Sequence, residues 1–159
     1  MKEQKTNVMR ILDQKKIPYE ARYYAHGDEA VDGVTVAQSL GQDPASVFKT
    51  LVTKGASGAY HVFVIPVAEE LDLKKAAKAA GEKSVAMLHV KDLLPLTGYV
   101  RGGCSPVGMK KAFATIFHSS ALSQQVIAVS AGKIGAQVLL QPQALCDLVR
   151  GDFADIIVD

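Results

Sequence analysis

The sequence predicts a single domain over residues 1–159, of mixed α/β (α+β) class, with a curled, mainly antiparallel, barrel-like sheet surrounded by helices. First, Val47 to Thr53 and Tyr60 to Val67 are apolar, β-branched runs separated by the small, glycine-rich GASG, which is typical of a hairpin. Second, three strand-like runs follow one another between Ala112 and Leu140. Third, predicted helices do not alternate regularly with strands, which disfavours a doubly wound parallel sheet.

The first predicted elements are a helix and a short strand. Apolar residues recur at helical spacing after Thr6, a good N-cap, and Pro18 ends this helix. Tyr19 to Tyr24 reads as a strand, and the polar His26 to Gly33 reads as a loop.

The next helix is expected to be capped by Thr35 and to end at Gly41, and Asp43 with Pro44 then turns the chain into the hairpin. The hairpin's two strands are expected to pair antiparallel, because so short a connection permits no crossover.

After Asp72, the run LKKAAKAA places alanines on one face and lysines on the other, which predicts an amphipathic helix that Gly81 ends. A short strand is expected at Val85 to Leu88. A helical turn is expected at Val90 to Leu94, closed by Pro95.

The last fifty residues are expected to be mostly sheet. The predicted strands are Ala112 to Phe117, Gln125 to Ser130 and Ala136 to Leu140. Pro142 then opens a helix that continues to Val149 and is ended by Gly151, and Ile156 to Val158 is expected to add an edge strand.

Composition limits the classes of function. Cys104 and Cys146 are far apart and fit no metal-ligand spacing, which indicates a reducing, cytoplasmic setting with no metal or other cofactor. The N-terminus is charged, unlike a signal peptide, and no apolar run approaches the roughly 20 residues of a membrane span. A net charge of +2 permits an RNA partner without indicating one.

The most unusual stretch is GYVRGGCSPVGMKK, in which Gly102, Gly103, Pro106 and Gly108 fall within seven residues. Such a loop is either an ordinary turn or a stiff backbone that a small ligand can approach closely. It lacks the GKS or GKT ending of a P-loop, so nothing supports ATP hydrolysis. With the turn after Ser130 and the loop after Tyr24, it is expected to form the rim of a site.

Three side chains are candidates for chemistry. Lys49 lies inside an apolar strand, where its side chain either faces solvent or holds a phosphate or carbonyl oxygen in a pocket. Cys104 is favoured as a packing residue over a nucleophile, because cysteine is among the most buried residue types. Ser130 ends a strand, where serine is usually a turn former, although sites also gather at strand ends.

Five segments, in this order and spacing, resemble the YbaK/EbsC family, whose members are similar to the editing domain of bacterial prolyl-tRNA synthetases. They are FKTLV, LDLKKAAKAAG, TGYVRGGCSPVGMKK, VSAGKIG and FADII. The resemblance covers nearly the whole chain and includes both a lysine strand and a GxxxP loop. It implies a trans-editing aminoacyl-tRNA deacylase that cleaves the ester of mischarged tRNA, chiefly Cys-tRNA(Pro) and Cys-tRNA, without a cofactor.

By matching motif, the resemblance implies catalytic roles for Lys49, Gly102 and Ser130. It implies substrate binding at five residues: Tyr24, Thr50, Gly103, Pro106 and Gly132. The turn departs from the family pattern where Ala131 replaces a glycine, Ile134 an arginine and Gln137 an acid, and these positions bear on tRNA contact and on the amino acid accepted.

The resemblance further implies substrate-assisted cleavage, in which the thiol of the bound cysteine attacks its own ester. Two alternatives stay open: a non-catalytic module that binds tRNA or a synthetase, and a deacylase for another amino acid such as alanine. A hydrolase acting on a different acyl ester is a weaker third. The expected partners are aminoacyl-tRNA and prolyl-tRNA synthetase, with no membrane.

Overall fold

The computed structural model describes residues 5–27 and 31–159, and in that part of the chain the secondary structure is a mixture of helices and strands. The helices are α1 (Asn7–Gln14), α2 (Gly33–Ser39), α3 (Leu73–Ala80), α4 (Val90–Thr97) and α5 (Pro142–Val149). The strands are β1 (Glu20–Tyr23), β2 (Phe48–Gly55), β3 (Tyr60–Pro66), β4 (Val85–Met87), β5 (Ala114–His118), β6 (Ile127–Ser130), β7 (Ala136–Leu140) and β8 (Asp152–Ala154). The mixed α/β class is confirmed.

The strands form two sheets, ordered β1-β7-β6 and β4-β2-β3-β5-β8. The hairpin of β2 and β3 is antiparallel as expected, and so are the pairs formed by β7 with β1 and with β6. β5 departs from this pattern, because it pairs parallel with both β3 and β8. An isolated parallel bridge from Val47 to Ala128 links the two sheets, so the described strands curl towards each other without closing a barrel.

Most of the capping residues predicted from the sequence are found at the ends of the helices. The side chain of Thr6 caps α1 by accepting from the backbone N–H of Met9 at 3.3 Å. Asp72 caps α3, and Gly81 ends it with φ of +71°. The prediction that Thr35 caps α2 is wrong: Asp32 is the cap, and its carboxylate accepts from both the backbone N–H and the hydroxyl of Thr35.

The predicted end of α4 and the predicted last strand are also wrong. α4 continues past Pro95 to Thr97, because one missing donor costs this short helix a single bond and Gly98 ends it with φ of +87°. Ile156 to Val158 is not a sheet strand. Instead the segment lies along the loop before α3, where Asp72 N–H donates to the Ile156 carbonyl at 2.9 Å.

Alternation along the strands divides the core between the two faces of the sheets. The largest cluster is shared by both sheets and includes Phe48 and Val64 from one and Val129 and Val138 from the other. On the opposite face, the alanines of α3 pack in a cluster with Phe63 and Ile65 of β3, Val85 of β4 and Ile116 of β5. Beside it, α2 covers a small cluster made of Ala37, Val47, Val67 and Ala128. This second face carries the polar side chains described below.

In the described ranges, no helix is long and apolar enough to cross a membrane.

Candidate functional site

Strand register brings four polar side chains to one level on the face that α2 partly covers. Arg22 of β1 is paired with Gln137 of β7, and Gln137 is paired in turn with Ser130 of β6. Lys49 and Ser130 each lie two residues beyond the isolated parallel bridge from Val47 to Ala128, so their side chains point to the same face of neighbouring strands. Directly opposed residues share a face, so Arg22, Gln137, Ser130 and Lys49 form a continuous line, here called the polar row.

Lys49 is a partly buried cation in this row. Burial lowers the pKa of its ammonium group, while the carboxylates of Glu70 and Glu69 partly offset that effect. A desolvated ammonium has given up part of its hydration, so an oxygen ligand that approaches it gains more than it would at an exposed lysine. The environment therefore suits an anionic or carbonyl oxygen.

Ser130 sits at the end of β6 and organises the turn that follows. Its Oγ accepts a hydrogen bond from the backbone N–H of Gly132 at 3.1 Å. Gly132 has φ of +98°, and a Cβ there would lie 3.1 Å from the ring of Tyr99. The turn is thus shaped by glycine and leaves the serine hydroxyl proton available to donate.

Tyr24 follows β1 on the same face, one level beyond the polar row. Its backbone N–H donates to the Gly135 carbonyl at 3.0 Å, which ties the loop after β1 to the turn after Ser130. The ring of His26 lies so close to Gly135 that a Cβ there would collide with it. The structure therefore brings Tyr24 to the face that carries Ser130 and Lys49, beside the turn that follows Ser130.

The loop from Gly102 to Gly108, here called the glycine loop, packs against the same turn. A Cβ on Gly103 would lie 3.0 Å from backbone atoms of Lys133 and Ile134, so only glycine allows the two loops to approach this closely. Gly102 is exposed and has φ of +85°, whereas Pro106 is buried and stiffens the inner part of the loop. The expected convergence of the three loops is observed.

A cavity of about 460 Å³ lies where these loops meet. It is lined by His26, Gly27, Gly98, Tyr99, Val100, Gly132, Lys133 and Ile134. A larger cavity of about 630 Å³ lies between the hairpin and α4, with Tyr60 and Met87 in its wall and none of the predicted site residues. We therefore take the loop cavity as the candidate site, because Gly132 lines it and Ser130 of the polar row lies two residues before Gly132 in the chain.

Two residues point away from this face. Thr50 projects with Phe48 and Val52 towards the large core cluster, and its Oγ1 is buried with no hydrogen-bond partner within the described ranges. The thiol of Cys104 is 8% exposed, and burial raises its pKa to about 12. A neutral, buried thiol is a packing group rather than a nucleophile. The role of Thr50 in substrate binding stays a prediction.

Sequence reasoning did not single out Gln42 or Arg22. Gln42 follows α2 and donates its side-chain Nε2 hydrogen to Oε1 of Gln137. Arg22 lies at the outer end of the polar row, with its guanidinium 3.0 Å from the Glu20 carboxylate. No local pattern marks either residue, since both acquire their place through strand pairing and a contact distant in sequence. Within residues 5–27 and 31–159, no cluster of three or more His, Cys, Asp or Glu could hold a metal ion.

The sequence was compared with models of known protein families and with known proteins. The model of the aminoacyl-tRNA editing domain matches residues 28–148. A relative from Enterococcus faecalis (strain ATCC 700802 / V583), named "Putative Cys-tRNA(Pro)/Cys-tRNA(Cys) deacylase EbsC", is 50% identical over 154 residues, covering 97% of this chain and 94% of its own.

Two solved structures have the same fold. One, described as "a putative trans-editing enzyme for prolyl tRNA synthetase", has a TM-score of 0.81 and 20% identity, and the match covers 98% of this chain and 100% of the other. The second, a hypothetical protein, has a TM-score of 0.84 and 21% identity, and the match covers 95% of this chain and 99% of the other.

Proposed function

The chain belongs to the aminoacyl-tRNA editing domain family, and on that premise we propose that it is a trans-editing deacylase that cleaves Cys-tRNA(Pro) and Cys-tRNA. The observation that carries this proposal is the 50% identity, over almost the full length of both chains, to a relative named as a deacylase of these two substrates. The polar row with its partly buried lysine supplies chemistry that fits such a reaction.

An aminoacyl ester is already activated, so a deacylase need only orient it and stabilise the oxyanion that develops on its carbonyl oxygen. In our proposal Lys49 binds a phosphate or ribose oxygen of the terminal adenosine. Backbone N–H groups around Gly102 face the carbonyl, and the Ser130 hydroxyl donates to the ester. Lys49, Gly102 and Ser130 are thus the proposed catalytic residues.

The remaining proposed residues shape the pocket. Tyr24 lies beside it, next to the turn after Ser130, and Gly103 and Gly132 keep the two loops close enough to exclude bulk water. Pro106 holds the glycine loop rigid from its buried side. Thr50 contributes through its position next to Lys49 on β2.

For the cysteinyl ester we propose cleavage by the substrate's own thiol. The sulfur attacks the ester carbonyl carbon and forms a C–S bond, and the C–O bond to the ribose then breaks. The thiol proton passes to the departing ribose oxygen, which leaves as the free hydroxyl of the tRNA. The cyclic thioester that results is hydrolysed by water to free cysteine.

In this scheme the side chain of the attached amino acid determines how fast the ester is cleaved. A pocket that selects by size alone separates substrates differing by one small group by only about 1 to 3 kcal/mol. Cys-tRNA should therefore be cleaved much faster than Ser-tRNA or Ala-tRNA, because only cysteine carries the nucleophile. Presentation of the substrate by prolyl-tRNA synthetase is part of the proposal, as a transient encounter.

The test is a panel of purified aminoacyl-tRNAs, including Cys-tRNA(Pro), Cys-tRNA, Ser-tRNA, Ala-tRNA and S-methylcysteinyl-tRNA, each followed for release of its amino acid. We expect rapid cleavage of the two cysteinyl substrates and recovery of the cyclic thioester in a trapping assay. Cleavage of the S-methyl substrate at the unmodified rate would contradict the thiol step. Preferred cleavage of Ala-tRNA would assign a different amino acid, and tight binding without any cleavage would indicate a binding module.

A further inference from the structure

Two amide side chains meet beside the polar row, although they are 95 residues apart in sequence. Gln42 is held at the end of α2, where its backbone N–H donates to the Ala37 carbonyl at 2.8 Å. Its side-chain Nε2 donates to Oε1 of Gln137, which is only 4% exposed and is paired with Ser130. The resulting pair of amides, here called the Gln42–Gln137 pair, therefore adjoins the serine assigned above to catalysis.

One atom of this pair has no partner. Gln42 Oε1 is buried and accepts no hydrogen bond from any described residue. The great majority of buried acceptors in proteins are bonded, so an unbonded one indicates a donor that arrives from outside the chain. Gln42 as a residue is only partly buried, so it lies near enough to the surface for a ligand to approach its side chain.

The donor can be identified from the chemistry of the proposed substrate. An aminoacyl ester carries an α-amino group next to the carbonyl, a ribose hydroxyl and, for cysteine, a thiol. The thiol is a weak donor, whereas a protonated amine is a strong one. The four members of the row are two cations, an amide and a hydroxyl. The carboxylates next to the row already interact with its cations, Glu20 with Arg22 and both Glu69 and Glu70 with Lys49.

We propose that the Gln42–Gln137 pair binds the α-amino group of the aminoacyl ester and thereby orients its carbonyl towards Ser130 and Lys49. This assignment rests on the proposed deacylase function and adds to it a positioning element that is common to all amino acids. Gln137 acts by holding Gln42, and Gln42 supplies the acceptor oxygen. Selection for the thiol is a separate property of the pocket.

The test compares Cys-tRNA with 3-mercaptopropionyl-tRNA, which has the same ester and thiol but lacks the α-amino group. Wild-type protein, Gln42→Leu, Gln42→Glu and the control Gln38→Leu are assayed for kcat/KM on both substrates. Gln38 is exposed on α2, outside the row. Dividing each variant's value by that of the wild type on the same substrate cancels the different intrinsic reactivity of the two esters.

We expect Gln42→Leu to lower kcat/KM for Cys-tRNA about tenfold or more, the effect of one lost hydrogen bond to a charged donor, with little change for 3-mercaptopropionyl-tRNA. Gln42→Glu, which keeps an acceptor oxygen, should restore most of the rate on Cys-tRNA. Equal losses on both substrates in a protein of unchanged melting temperature would overturn the proposal. If wild-type protein cleaves neither substrate, the deacylase function itself is wrong and this assignment fails with it.

Discussion

The contact between the glycine loop and the turn after Ser130 makes Gly103→Ala a sharp test of how the site is built. The new Cβ would lie 3.0 Å from three backbone atoms, the nitrogen of Ile134 and two carbons of Lys133. Carbon atoms in contact prefer about 3.5 to 4.0 Å, so the two loops must separate by roughly 0.5 Å. Backbone cannot rotate aside as a flexible side chain can, so the displacement is transmitted to the cavity between the loops.

Overpacking of this kind costs about 1 to 3 kcal/mol of stability, which corresponds to a fall in Tm of roughly 2 to 12 °C for a chain of this size. Misplacement of binding groups by about 1 Å costs about 100-fold in rate, so a shift half as large should lower kcat/KM on Cys-tRNA about tenfold. The assay is single-turnover release of cysteine, with thermal unfolding measured on the same samples.

Gly58→Ala is a matched control for loss of stability without loss of function. Gly58 has φ of +93° in the hairpin turn, and no atom of the described residues lies within 4 Å of the place a Cβ would take. Alanine there therefore costs about 1 to 2 kcal/mol through backbone strain alone. We expect Gly58→Ala to lower Tm while kcat/KM is unchanged. Equal activity losses in the two variants, or wild-type activity in Gly103→Ala, would show that the close approach of the two loops does not shape the site.

Three further predictions concern Cys104, Lys49 and Asp32. Cys104→Val should fold and keep its activity, because the thiol is buried and neutral; loss of cysteine release by a folded variant would return Cys104 to the catalytic candidates. The pKa of Lys49 is lower in the folded chain than its usual value of 10.5, so the unfolded state holds the proton more tightly and stability rises with pH between those two pKa values. The free energy of unfolding of the wild type should therefore increase relative to Lys49→Met as pH approaches 10.5, and a pH-independent difference in urea unfolding would contradict this. Asp32→Ala removes the cap of α2 and should cost about 1 kcal/mol in the same urea assay, whereas an unchanged midpoint would show that the cap contributes nothing.

Elements with strong local signals were predictable from sequence. α3 has a capping aspartate, an alanine face and a glycine that adopts positive φ, and all three signals act within the helix itself. The hairpin of β2 and β3 likewise needs only two apolar runs and a short turn. Thr35 was misassigned because Asp32, three residues earlier, is the competing cap, and a carboxylate accepts from two donors at once.

Features that depend on distant pairing were not predictable. The parallel pairing of β5 with β3 and β8 joins segments whose order in the sheet no local pattern records. Lys49 could be recognised as unusual inside an apolar strand, but its place beside Ser130 follows from one bridge between two sheets. Gln42 acquires its partner across 95 residues, and nothing around it in the sequence marks a site.

We propose that deacylation depends on the positive charge of Lys49 in the polar row. The most direct measurement is single-turnover release of cysteine from Cys-tRNA(Pro) by Lys49→Met, with Lys54→Met as control because Lys54 is an exposed lysine on the same strand. We expect Lys49→Met to lose about 100-fold in rate without loss of thermal stability, and Lys54→Met to keep the wild-type rate. Wild-type turnover by a folded Lys49→Met protein would contradict the assignment of the site.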